Sequence, residues 1–225
     1  MIKSTLALYV DTLMETGGAL MRGPFVWLFL LVLPVVITVA SVVLSPLGII
    51  GGFIIGFGAV YLYGAYLYAV GQSVSRRNAL GFGIIQESMG HHVWDVMGIA
   101  FLHWIMSLAL QFGALPDVLP TLIALVTFIL FNPWPEVIHT ERVQGSMDIL
   151  VRAFRFMQAN GPEWVIPHIV LFVCGFGFTM VPGDLAPMMA IGAGVFLHPV
   201  MVFRAVLYRK LSSGSRRVRT WQGRF

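Results

Sequence analysis

The chain has 225 residues, of which 58% belong to the hydrophobic class AVILMFWYC and only 11% are charged. A soluble domain is about one-quarter charged, so there is too little charge here to coat a water-facing surface, and a water-soluble globular protein is excluded. The formal net charge of +4 does not point to nucleic acid, because basic residues also hold the cytoplasmic ends of membrane helices against anionic headgroups.

The composition therefore predicts an all-α integral membrane protein. In chain order, Leu6, Tyr9, Val10 and Leu13 form an apolar stripe opposite Asp11 and Glu15, closed by Gly23-Pro24. This reads as an amphipathic helix in the headgroup plane. Asp11 and Glu15 also interrupt any signal-peptide pattern after Lys3, so a retained N-terminus is expected. Positions 23–75 carry no formal charge, long enough for two crossings. Ser45-Pro46-Leu47-Gly48 is turn chemistry and divides them into helix one (25–44) and helix two (48–70). Helix two is glycine-rich, and Gly52 and Gly56 form a Gly-x-x-x-Gly pair suited to close helix packing.

After Arg76 and Arg77, a second stripe (Leu80, Ile84, Ile85, Met89) runs beside Gln86 and Glu87. Helix three follows (93–112), then a turn at 113–117 and helix four (118–138). A third amphipathic segment covers 146–158. Its apolar Met147, Leu150, Val151, Phe154 and Met157 oppose Asp148, Arg152 and Arg155, and Asn160-Gly161-Pro162 is expected to stop it. Helix five (163–181), the turn Pro182-Gly183-Asp184 and helix six (185–207) complete a single domain, 1–208. The lone cysteine, Cys174, sits in an apolar run and has no disulfide partner. Residues 209–225, with six cations and almost no apolar periodicity, are expected to be a flexible polybasic tail.

Six crossings put both termini on one side. The turns after helices one, three and five contain no Lys or Arg, whereas Lys3, Arg22, Arg76, Arg77, Arg142, Arg152, Arg155, Arg204 and the tail lie at the opposite ends. The positive-inside rule then places both termini in the cytoplasm, in a bacterial inner membrane. Each amphipathic segment precedes a hairpin, and Trp27, Trp94 and Trp164 open the odd-numbered helices, 67 and 70 residues apart. This suggests a threefold internal repeat over 4–77, 78–145 and 146–208. A threefold six-helix plan resembles that of the mitochondrial carriers. Their Pro-x-acidic-x-x-basic motif should close every odd-numbered helix, however, and Pro133-Trp134-Pro135-Glu136 closes an even one without the basic partner. The carrier motif is not satisfied.

Polar groups in lipid are expensive and therefore candidates for function. Leaving helix four, Asn132, Pro133, Trp134 and Glu136 form the most unusual stretch, since two prolines free backbone carbonyls one turn earlier. With Arg152, Arg155, His198 and Arg204, they are the candidates for lining a cavity or meeting a partner. His91, His92, Asp95, Glu136 and His139 would lie at one boundary and carry metal-ligand chemistry, with Glu136 and His139 in Glu-x-x-His spacing. One such motif falls short of a di-iron set, so a metal is disfavoured and no cofactor is expected beyond bound lipid. His103 is the deepest ionisable group of helix three, but no charged path continues outward from it.

No nucleophile triad, phosphate loop or dinucleotide-binding glycine pattern is present. The sequence therefore favours a non-catalytic membrane subunit that anchors or scaffolds a larger complex, with anionic lipids and other membrane or cytoplasmic proteins as partners. The alternative is a permease or channel component for a small or lipidic molecule, with Pro34, Pro120, Pro167 and Pro187 loosening its helices. A metal-dependent membrane enzyme ranks third.

Overall fold

A computed structural model describes residues 2–76, 78–113, 118–141, 143, 145–179 and 186–213, with side-chain surroundings for these except 2–4, 170–179, 186–191, 193 and 194. The expected turns at 114–117 and 182–184, the side chain of Cys174 and the tail from 214 lie outside this set. Every regular element among the described residues is helical.

The amphipathic first segment is α1, Ile2–Arg22. A 3-10 turn at Pro24–Val26 leads into α2, Trp27–Leu44. A second 3-10 turn at Ser45–Leu47 and Gly48, whose φ of 56° suits a residue without Cβ, reverse the chain into α3, Ile49–Ser75. The second unit is a short α4, Gly83–Ser88, followed by α5, Val93–Phe112, and α6, Val118–Phe131. Helix four of the sequence reading breaks where its prolines fall: Asn132-Pro133 form a turn and α7, Trp134–Glu141, starts anew. Among the described residues, four segments are long and apolar enough to cross a membrane: Pro24–Leu47, Ile49–Ser75, Val93–Phe112 and Val118–Glu141.

The last unit departs from expectation. Asn160-Gly161-Pro162 does not stop the third amphipathic segment, because α8 runs from Ser146 to Thr179 without a break and contains Pro162 and Pro167. Pro162 lacks only its own N–H, while Asn160 Nδ2 donates to the Phe156 carbonyl at 3.3 Å within the same turn. Where water cannot pair a freed backbone, staying helical satisfies the remaining groups better than a loop would. The final helix, α9, spans Ala186–Ser212. It continues past the predicted end of helix six, so Arg209 and Lys210 form its last turn rather than the start of a tail.

The packed core sits at one end of the helices. In α3 the buried residues run from Gly64 to Val74, in α9 from Val202 to Leu211, and in α7 from Pro135 to Ile138. Burying Leu67, Val70 and Leu207, each fully enclosed, contributes about 1.5–3 kcal/mol per side chain. At the other end, Val35, Val39 and Val42 of α2 and Ile49, Phe53 and Phe57 of α3 are exposed. That is the pattern of helix flanks whose solvent is acyl chain. Gly52 and Gly56 lie on this open flank, and a Cβ at either would meet nothing within 4 Å. Close approaches are made by Gly51, where a Cβ would run into the Leu44 carbonyl oxygen, and by Gly64, where it would come within 2.7 Å of the His91 carbonyl oxygen. The contact at Gly64 seats α3 under the start of α5.

Helix contacts follow a regular order. α2 packs on α3 and α9, α5 on α3 and α8, and α6 on α8. α1 lies against α9, α4 against α3, and α3, α7 and α9 touch one another.

Candidate functional site

The site is built where the α6–α7 break meets α9. Pro133 and Pro135, two residues apart, have no N–H to close on the carbonyls of Ile129 and Phe131, and the helix breaks at this point. The turn leaves the Asn132 carbonyl open, and Arg204 of α9 fills it: Nη2 donates to that oxygen at 2.8 Å. The same guanidinium donates through Nε and Nη2 to both carboxylate oxygens of Glu136, at 2.7 and 2.9 Å. Glu136 is wholly buried and the Arg204 side chain is 13% exposed. The Asn132 side chain accepts from Trp164 Nε1 at 3.2 Å, and the Trp164 ring lies under the guanidinium, 5.5 Å from its carbon. Asn132, Glu136 and Arg204, three of the candidates for lining a cavity, thus form one constellation, and Trp164 completes it. The Ile129 carbonyl accepts from the Asn132 amide at 3.4 Å, and the Asn132 carbonyl is met by an arginine 72 residues away. Trp134 turns its ring to Tyr63, with centroids 5.9 Å apart.

Chemically, this is a clamp. A bidentate arginine–carboxylate pair with a third acceptor fixes α7 to α9 and leaves the pair neutral as a whole. Beside it, His198 accepts or donates through Nδ1 to the Tyr66 hydroxyl at 3.1 Å and lies edge-on to Trp27, with centroids 4.8 Å apart. His139 and His168 each bury an Nε2 that has no hydrogen-bond partner among the described residues.

A cavity of about 690 Å³ opens next to the clamp. It lies between α5 and α6, backed by α3, with Asn132, Trp134, Pro135, Leu150 and Arg204 at its inner end. Tyr63 of α3, His103 of α5 and Thr127 of α6 add polar atoms to its lining.

Of the five residues considered as metal ligands, His91 and His92 lie side by side with ring centroids 6.3 Å apart, and each of the five has other partners. His91 stacks on Tyr68 with centroids 4.0 Å apart, His92 lies 3.8 Å from Asp95, and Asp95 accepts from the Gly145 amide at 3.2 Å. Glu136 is engaged by Arg204, and His139 packs against Gly71. Among the described residues, no three His, Cys, Asp or Glu side chains form a group able to hold a metal ion. Arg152 pairs with Glu141 at 2.9 Å on the exposed rim, and Glu141 also accepts from the Tyr208 hydroxyl. Arg155 is exposed on α8.

The rim is laced across long sequence separations. Glu15 of α1 is bonded by Arg209 and lies 3.3 Å from Lys210 Nζ, while Arg209 Nη1 also donates to the Val74 carbonyl at 2.6 Å. The Tyr9 hydroxyl donates to the Glu163 carbonyl at 2.9 Å. Partial burial alone would raise the Glu15 carboxyl, but Arg209 and then Lys210 hold it below its ordinary value. A carboxylate depressed in the folded state stabilises the fold above the unfolded pKa of about 4.3, and that contribution is lost as pH falls through the folded value. Glu15→Gln should therefore be less stable than the parent at neutral pH, and the gap should close in acid. Unfolding midpoints of both proteins across that range check this; a gap independent of pH would contradict it.

The chain matches no family model, no curated protein and no solved structure.

Proposed function

We propose that the chain is a non-catalytic integral subunit that scaffolds a larger assembly in a bacterial inner membrane. It crosses six times, with α8 and α9 supplying the last two spans and both termini in the cytoplasm. The observation that carries this reading is the contrast between its two ends. One is a knot of buried core, clamp and ion pairs at the basic rim. The other, among the described residues, is a set of exposed apolar flanks on α2, α3, α5 and α6. A fixed base carrying open hairpins suits lateral contact with other membrane subunits, while the exposed rim offers Arg152 and Arg155 to a cytoplasmic partner.

In this reading the scaffold is one unit used three times. Tyr66, Asn132 and His198 stand 66 positions apart in the second span of each unit. Tyr66 meets His198, and Asn132 meets Trp164, the opening tryptophan of the third unit. Each first span packs on the second span of the unit before it in a ring: α2 on α9, α5 on α3, α8 on α6. The interfacial segments repeat the order, α1 on α9 and α4 on α3. Trp94 departs from the pattern, being 78% exposed.

The test is the mass of the particle extracted in a mild detergent or in native-membrane discs. The scaffold reading expects a stoichiometric membrane partner that persists after crosslinking in intact membranes. A lone chain in both preparations would count against it. The cavity beside Arg204 favours a second reading, a transport component for a lipidic molecule, and flux of a labelled lipid in liposomes holding only this chain would select it.

A further inference from the structure

We propose that the cleft between α5 and α6 is a phospholipid site: it takes one acyl chain from the cytoplasmic leaflet and holds the phosphate at Arg204. The inference rests on the six-crossing orientation proposed above.

The hairpin arms α5 and α6 pack on other helices, α5 on α3 and α8 and α6 on α8, and the space between them is the cavity. Its volume of about 690 Å³ lies within the range of small-molecule sites. Val60, Ile99, Leu102, Met106 and Phe128 make its walls apolar. Along α5 it extends from Val96 to Met106, ten residues or about 15 Å of helix. That is half of the roughly 30 Å hydrocarbon core, so the cleft has the depth of one leaflet. A path for a solute would need the other half as well.

The polar end has the chemistry of a headgroup. Arg204 spends Nε and Nη2 on Glu136 and the Asn132 carbonyl, and Nη1 makes no hydrogen bond among the described residues. A guanidinium held rigidly by its other nitrogens loses little freedom in donating to a phosphate oxygen. Trp134, at the same end, is an indole at headgroup level. Glu136, wholly buried behind the guanidinium, cancels its charge. The site therefore does not demand a strongly anionic headgroup, and a zwitterionic phospholipid satisfies it.

The experiment uses the full chain, purified in mild detergent and washed with lipid-free detergent. Native mass spectrometry and lipid phosphorus identify what stays bound. The expected result is one retained phospholipid per chain. Ala100→Trp, a substitution on the outer wall of the cleft, should cut retention at least tenfold while leaving the unfolding midpoint in place. Val36→Trp, on the open flank of α2, should leave retention unchanged. No retained phosphorus, a retained fatty acid in its place, or equal retention in the Ala100→Trp and parent proteins would overturn the site. Labelling of the loops from either side of the membrane tests the orientation separately, so failure of the cleft and failure of the topology are distinguishable.

Discussion

Glu136→Gln should lower the unfolding midpoint of the detergent-solubilised chain by roughly 6–20 °C. The substitution keeps the shape of the side chain and removes its charge. Arg204, only 13% exposed, then remains with a single carbonyl and a neutral amide in place of its carboxylate. Removing one partner of a buried pair costs about 3–5 kcal/mol, and for a chain of this size each kcal/mol is worth about 2–4 °C. The cost arises from the stranded charge more than from the lost attraction. Joint replacement, Glu136→Gln with Arg204→Met, should therefore recover much of the loss even though it abolishes the clamp. A differential unfolding measurement on the two single variants and the double decides the matter. Single variants as stable as the parent would show that the pair does not fasten α7 to α9.

Trp164→Ala should cost about 3–5 kcal/mol, the range for emptying a buried aromatic site. The ring is 1% exposed and lies edge-on to Phe156 and Tyr208, with centroids 5.2 and 6.1 Å away, beneath the Arg204 guanidinium. Its loss also deprives Asn132 Oδ1 of its donor. Trp164→Phe keeps most of the packing and forfeits the hydrogen bond, so it should fall between, at about 1–2 kcal/mol. The matched control is Trp94→Ala. Trp94 opens the corresponding helix of the second unit, but its exposure puts the change within about 0.5 kcal/mol. If the two alanine variants lost equal stability, the tryptophans would act as equivalent interfacial anchors, and Trp164 would not be the keystone of the clamp.

The features the sequence revealed are those set by local chemistry. Pro46 and Gly48 mark the first reversal because one fixes φ and the other accepts a positive value, and the chain turns there. Pro133 and Pro135 mark the break in the fourth span because the two missing donors fall two residues apart, within a single turn. The same logic misread Asn160-Gly161-Pro162. That triplet stops a helix in water, where exposed backbone is solvated, but α8 passes through it in an environment where leaving the helix costs more. The glycine signal was misplaced for a related reason. Gly52-x-x-x-Gly56 is the better motif, yet only the fold shows that neighbouring backbone presses on α3 at Gly51 and Gly64. What remained illegible was pairing across distance. Glu136 and Arg204 are separated by 68 positions, and Glu15 and Arg209 by 194. Nothing in either neighbourhood names the partner. For the histidine and carboxylate cluster, too, only the fold names the neighbours: Tyr68 meets His91, Gly71 meets His139 and Arg204 takes Glu136, while His92 and Asp95 lie 3.8 Å apart.

The central claim is that three hairpins hang from one packed cytoplasmic rim. Site-directed labelling tests it most directly. With Cys174 replaced, single cysteines at Gly48, Asp117 and Gly183 should react with a membrane-impermeant maleimide added to intact cells. Cysteines at Arg76, Gln144 and Ser213 should react only after the inner membrane is opened. If any hairpin tip were protected in cells while a rim position labelled, the six-crossing threading and the rim built on it would be wrong.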